Sequence, residues 1–228
     1  MSLTRADLEN RRLQQLIAQA NLGLYVLSEA ELQASIAAIL SQNPGAPVWV
    51  FAYGSLIWNP VIEYVEQQVG TVHGFHRRFC LWTPLGRGTP ENPGLMLGLD
   101  RGGSCRGVIY RIAPQILHQE MLLLWRREMV VASYIPRWVK VVTPTGPLLA
   151  IAFLIDRSRD SYAGNLEQAA TVRHLATAQG ALGTAADYLN QTIDALAQAG
   201  IHDRGLLLLQ KQVAAYRART AERCTEPR

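Results

Sequence analysis

Glu128 is the carboxylate of this 228-residue chain whose surroundings suit acid–base work. It stands between Trp125 and the apolar run Met129-Val130-Val131-Ala132. A carboxylate stripped of hydration holds its proton more tightly, which moves it toward the range useful for general acid–base catalysis near neutral pH. Its other neighbours, Arg126 and Arg127, act in the opposite sense, because an ion pair at the end of a helix lowers a carboxyl pKa. Sequence alone leaves both outcomes open. The second stretch with chemical promise is Tyr53-Gly54-Ser55-Leu56. It follows the continuous apolar run 48–52, the pattern of a strand buried on both faces. At Gly54-Ser55 the chain can turn sharply and bring bare backbone close to a ligand, and successive N–H groups in such a turn can hold an anion. The plainer reading of the same residues is a core strand that ends in an ordinary turn.

Other chemistries find no support. His73, His76, His118, His174 and His202 form neither an HExxH nor an HxH pattern, so no metal site is expected. Ser55 does not lie in a GxSxG elbow and is not expected to be an activated nucleophile. No Walker or Rossmann glycine pattern occurs. Cys80, Cys105 and Cys224 are odd in number and lack CxxC spacing, which fits a reducing compartment and argues against a disulfide framework. Glu63, Asp100, Asp156 and Asp160 read as surface or turn residues. Tyr162, in Tyr162-Ala163-Gly164, either offers a hydroxyl to a site or simply packs. The net charge of +4 comes with no dense basic run, so nucleic-acid binding is not expected. The first residues lack the apolar core of a secretory signal, and apolar runs such as 148–155 are too short to span a bilayer. The expectation is a soluble cytoplasmic protein.

The elements that must position these residues read as follows. Residues 3–41 are helical, with Ser28 and Glu31 forming a capping box for the second helix. Asn43-Pro44-Gly45-Ala46-Pro47 breaks the chain, which sets a helical N-terminal appendage, 1–45, apart from a main domain, 46–228. From 48 to 155 the signals are mostly β. Separate strands are expected at 64–75, 78–82, 95–99 and 106–112, the last two divided by Gly102-Gly103. Residues 84–93 make a long loop of the kind that lines sites. Pro114 opens a helix that runs into Glu128, and 134–142 with 148–155 form a hairpin. From 165 onward the chain is helical again, with Asn165 as one cap, Thr184 with Asp187 as the next, a stop at Gly200 and a last helix over about 203–219. Strands between helices without βαβ alternation point to an α+β fold with a mostly antiparallel or mixed sheet, closed or strongly curved.

At this point the ordered motifs resemble a known family. Tyr53-Gly54-Ser55-Leu56-Ile57-Trp58-Asn59-Pro60 is similar to the signature of γ-glutamylcyclotransferases of the ChaC type. Glu63-Tyr64, Gly74-Phe75-His76-Arg77, Phe79-Cys80, Arg87-Gly88-Thr89-Pro90, Leu97-Gly98-Leu99, Arg127-Glu128-Met129, Tyr162-Ala163-Gly164, Tyr188-Leu189 and Gly200-Ile201-His202-Asp203 follow in the family's order. The resemblance implies a small mixed β-barrel flanked by helices and cleavage of glutathione into 5-oxoproline and cysteinylglycine. It implies no metal or organic cofactor. It makes Tyr53, Gly54, Ser55 and Leu56 the loop that holds the γ-glutamyl group, Glu128 the catalytic glutamate, and Tyr162 a tyrosine near the substrate. The expected partner is a small-molecule γ-glutamyl substrate, glutathione first, with no nucleic acid, membrane or obligate protein partner. Two departures stand out. Leu182 and Ala185 occupy positions where the family pattern leads one to expect Ser and Asn. They bear on what hangs beyond the γ-glutamyl unit, so the alternatives are another γ-glutamyl amide or peptide as substrate, or a non-catalytic γ-glutamyl-binding regulatory protein.

Overall fold

The structure is a computed structural model that describes residues 3–225, with side chains to residue 222. Met1, Ser2 and the side chain of Cys224, which entered the reading of the N-terminus and of the cysteines, lie outside the described residues. The chain divides at Arg78/Phe79, Leu97/Gly98 and Tyr162/Ala163 into two compact units. One takes the chain up to Arg78 and then Gly98–Tyr162; the other takes Phe79–Leu97 and the chain from Ala163 onward.

The sheet is a closed barrel of five strands, β1 (Trp49–Ala52), β2 (Glu66–Thr83), β3 (Gly94–Arg111), β4 (Tyr134–Thr143) and β5 (Gly146–Ile155), in the order β1-β3-β2-β4-β5; the first unit holds all of it except β2 from Phe79 and β3 up to Leu97. Neighbours are mostly antiparallel. Parallel pairings of Val50 with Ile151 and of Leu99 with Leu154 make the sheet mixed and closed, as the α+β reading expects. β1 is buried along its whole length, which is why it reads as an unbroken apolar run. Gly107 of β3 lets that strand press against the end of β1: a Cβ there would lie 2.3 Å from the Ala52 carbonyl oxygen. The expected hairpin is β4–β5, turning at Thr143–Gly146. The expected pairs of short strands are instead two long ones. β3 continues through Gly102 and Gly103, whose positive φ angles (98° and 67°) bend the strand without ending it, at a point where residues 101–104 are exposed. β2 likewise runs unbroken across residues 76–78.

Three helices precede the barrel: α1 (Arg5–Glu9), α2 (Arg12–Ala20) and α3 (Glu29–Leu40). The Ser28–Glu31 capping box is present. After β1 comes a single helical turn, α4 (Ser55–Trp58); after β3 and a 3₁₀ turn at Pro114–Ile116 comes α5 (Leu117–Glu128). α5 is the internal beam of this unit. Met121, Leu124 and Trp125 are fully buried, and the Trp125 and Phe153 rings meet edge to face at 5.0 Å. The N-terminal helices are fastened to it. Arg5 donates from both terminal nitrogens to the buried Glu120 carboxylate, at 2.7 and 2.8 Å, and the Glu63 N–H donates to the same group at 2.8 Å. Arg126 pairs with Glu29 at 2.8 Å, Trp125 Nε1–H donates to Ser35 Oγ at 3.0 Å, and the Leu27 N–H donates to the Val130 carbonyl at 3.0 Å.

The second unit holds α6 (Gln168–Thr177), a two-residue hairpin β6 (Gln179–Gly180) and β7 (Gly183–Thr184), α7 (Ala185–Gln198) and α8 (Arg204–Thr225). Thr184 caps α7 by accepting the Asp187 N–H, as expected. Asn165 is not a cap. α6 begins later, at Gln168, with Glu167 in the capping position and no side-chain hydrogen bond there. Burial of Val172 and Leu175 sets this helix, not a cap signal. α8 runs on to Thr225, past the expected end near residue 219. Among the described residues no helix is long and apolar enough to cross a membrane.

Removing one partner of a buried ion pair strands the other, at a cost of about 3 kcal/mol. Arg5→Ala, which strands the buried Glu120 carboxylate, is therefore expected to lower the unfolding free energy by that order, read as an earlier midpoint in urea, whereas Glu9→Ala, which removes an exposed partner of the same Arg5, should change it by well under about 1 kcal/mol.

Candidate active site

β1 delivers Tyr53 to the end of the barrel and two contacts fix it there. Its hydroxyl donates to the Phe153 carbonyl of β5 at 2.8 Å, and its own carbonyl accepts from Arg77 Nη1 at 2.7 Å. Gly54 then occupies the N-cap position of α4 and brings no side chain to it. The first amides of any helix lack an intrahelical acceptor, so the N–H groups of Ser55 and Leu56 start with donors to offer. The Leu56 side chain turns into the core, 7% exposed. The stretch is thus a buried strand, a glycine and one helical turn.

Glu128 is the last residue of α5. The preceding residue ties it to the loop. Arg127 pairs through Nε with Glu128 Oε1 at 2.9 Å and donates from Nη2 to Ser55 Oγ at 2.9 Å, while Nη1 donates to the Asn59 carbonyl. One guanidinium therefore touches both stretches singled out in the sequence, across 72 positions of chain. The Glu128 side chain retains 14% exposure, enough to meet a small molecule. Burial raises its pKa above the ordinary glutamate range, and the Arg127 cation and its hydrogen bond offset only part of that rise. Both sequence expectations hold in part: the ion pair forms, and desolvation still wins. Arg126 is turned away, toward Glu29.

Tyr162 is placed differently. Its hydroxyl donates to Asp100 Oδ2 at 2.9 Å, and Arg157 lies over its ring. Asp100 is not the surface residue expected from sequence. It is buried, and it accepts from Arg157 and from the Arg101 N–H, with Arg78 3.6 Å away. Burial acts to raise the Asp100 pKa, but these hydrogen bonds outweigh it and hold the carboxyl below the usual aspartate range. The Tyr162 phenol is raised, by burial first and by the Asp100 hydrogen bond second. These contacts join Ser55 and Glu128 through Arg127, and give Tyr162 its own cluster around Asp100.

Leu182 and Ala185 belong to the second unit. Leu182 sits at the tip of the β6–β7 hairpin, where its N–H donates to the Gly86 carbonyl at 2.8 Å, and Ala185 is the buried first residue of α7. Gly180 of the hairpin backs directly onto Gly88, so the 84–93 loop is held to this hairpin by backbone packing. Sequence reading missed the part played by Arg127, which it weighed only as a charge beside Glu128. The contacts it makes with residues far away in the chain have no local signature.

A family model described as ChaC-like protein matches residues 48–216. The chain belongs to the ChaC family. Relatives agree with that placement. A glutathione-specific γ-glutamylcyclotransferase of Escherichia coli (strain K12) is 41% identical over 181 residues, covering 78% of this chain and 78% of the relative. Glutathione-specific γ-glutamylcyclotransferase 1 of Homo sapiens is 30% identical over 160 residues, covering 67% of this chain and 72% of that one. The crystal structure of a γ-glutamyl cyclotransferase specific to glutathione from yeast superposes with a TM-score of 0.70 at 24% identity, over 76% of this chain and 98% of that one, and shares the ChaC fold.

The raised pKa of Glu128 has a measurable sign. A group whose pKa is higher folded than unfolded makes the protein less stable as pH climbs from the unfolded to the folded value. Glu128→Gln should abolish that part of the pH dependence. Thermal melts should show the variant gaining on wild type as pH rises through this window, and the two converging below the unfolded pKa.

Proposed function

We propose that this chain is a glutathione γ-glutamylcyclotransferase in which Glu128 transfers the proton. The observation that carries the reading is the Arg127 bridge, which links a carboxylate of raised pKa to the hydroxyl of the Tyr53–Leu56 loop. The relatives named for this activity support it. In the proposed reaction the substrate's own α-amine attacks its γ-carbonyl carbon. A C–N bond forms to close the 5-oxoproline ring, and the amide C–N bond to the cysteinylglycine nitrogen breaks. The attacking ammonium gives up two protons as its nitrogen becomes the lactam N–H, and the departing nitrogen gains two and leaves as an ammonium; Glu128 relays these protons one at a time. No enzyme nucleophile is needed, because tethering the reacting groups in one folded substrate supplies a large effective molarity. Ser55, Leu56 and the turn at Gly54 would hold the γ-glutamyl group through N–H donors, and Tyr53 keeps that turn in place from behind. Tyr162 is assigned to substrate contact on the family pattern. The catalytic domain would comprise residues 46–228, with 1–45 as a helical appendage, in keeping with a family match that starts at residue 48. The substrate is small and the expected place of action is the cytoplasm.

Purified protein incubated with glutathione should release 5-oxoproline and cysteinylglycine. Glu128→Gln should reduce the rate by about 10²–10⁴-fold. Because the base form is needed and the Glu128 pKa is raised, kcat/KM should fall on acidification at a pH above the ordinary glutamate range. Absence of product from wild type, or equal product from the variant, rejects the assignment. A panel of γ-glutamyl dipeptides and amines, compared with Leu182→Ser and Ala185→Asn variants, tests whether these two residues redirect substrate choice.

A further inference from the structure

The Arg127 fork has a consequence for where protons point. Ser55 Oγ accepts from Arg127 Nη2 at 2.9 Å, and among the described residues no acceptor takes the Ser55 O–H. Glu128 Oε1 is held by Arg127 Nε at 2.9 Å, and no hydrogen bond to Oε2 occurs among the described residues. A serine hydroxyl has one proton and two lone pairs. When a guanidinium, which can only donate, occupies one lone pair, the proton and the second lone pair remain, and the adjacent positive charge favours turning the O–H outward toward an acceptor. We propose that Arg127 is a positioning residue that sets the hydrogen-bond polarity of the whole site: it makes Ser55 a donor toward a carboxylate or carbonyl oxygen of the substrate, and leaves Glu128 Oε2 as the oxygen that exchanges the proton. This rests on the cyclotransferase reading above.

The geometry requires an arginine. Its planar fork reaches a carboxylate, a hydroxyl and the Asn59 carbonyl at once, and its side chain is only 7% exposed. A lysine ammonium keeps the charge but has no rigid fork to span the three. The neighbouring charges are engaged elsewhere, Arg126 with Glu29 and Glu120 with Arg5. From the loop side, Tyr53 donates to Phe153, and Ser55 and Asn59 carry no charge. Among the described ion pairs, Arg127 is the cation that meets Glu128.

The test follows 5-oxoproline release from glutathione across pH for wild type, Ser55→Ala, Arg127→Gln, Arg127→Lys and the Ser55→Ala/Arg127→Gln double variant. Ser55→Ala should lower kcat/KM about tenfold, the worth of one hydrogen bond to a charged or developing oxyanion. Arg127→Gln should lower it about 100-fold and move the acidic limb to higher pH, since the carboxylate loses its cation. The double variant should fall little below Arg127→Gln, because the Ser55 donor is worth little once its orientation is lost. Arg127→Lys should keep the acidic limb near wild type while losing the part that depends on Ser55. An unmoved acidic limb in Arg127→Gln, or single effects that simply multiply in the double variant, overturns the proposal; a role in stability alone would give that result. If Arg127→Gln does not fold, the same cycle with Arg127→Lys decides, and multiplicative losses again overturn it. Glu128→Gln separates the two layers. Full activity in that variant rejects the reading itself, whereas an inactive Glu128→Gln beside multiplicative losses rejects only the role of Arg127.

Discussion

A carboxylate kept in a place that disfavours its charge is the constraint around which this structure is arranged. Glu128 closes a helix whose C-terminal end carries partial negative charge, next to apolar Met129 and Val130. Burial of such a group disfavours its charge, and a close cation favours it. Arg127 supplies one charge-assisted contact and directs its remaining donors to neutral groups of the loop, so the balance stays on the desolvated side. The same side chain fixes the distance between two segments that neither helix nor sheet connects directly.

That balance needs rigid supports, and α5 receives them from both directions. The barrel holds one face of the helix through Trp125 against Phe153. Helices α1 and α3, with Leu27 ahead of α3, hold it through Glu120, Trp125, Arg126 and Val130, the last three lying within three positions of Glu128. The loop side is braced as well, since the Asn59 amide donates to the Leu3 carbonyl and Arg5 reaches the Val61 carbonyl. Val61, with φ of 53°, and Ala132, with φ of 50°, are left-handed residues without glycine's freedom. Each costs on the order of 1 kcal/mol, and each flanks one of the two braced segments.

Much of this is readable in the sequence wherever a local rule decides. An apolar run marks β1, capping chemistry marks Ser28 and Thr184, turn and strand signals mark the β4–β5 hairpin, and an apolar setting around a carboxylate marks Glu128. What stays hidden is non-local. Gly102-Gly103 looks like a break because glycine usually marks one, yet neighbouring strands carry β3 through the bend. Asp100 looks exposed because aspartates usually are, and only the arrival of Arg157 and Tyr162, 57 and 62 residues later, makes its burial tolerable. Arg127 looks like a modifier of its neighbour for the same reason: its other two partners lie 68 and 72 residues back.

The Arg5–Glu120 clasp also sets an order of events during synthesis. Its partners are 115 residues apart. At ribosomal speeds of about 5–20 residues per second, α1 must wait several seconds for α5 to emerge before it has anywhere to dock. β1 faces a similar wait for β5, through which it closes the barrel. Until then Leu8, Leu32 and Ile36, all fully buried in the finished fold, stand open to water on the nascent chain. The first segment made is among the last to be secured, and the helix caps of α1 and α3 are the part of it that needs no distant partner.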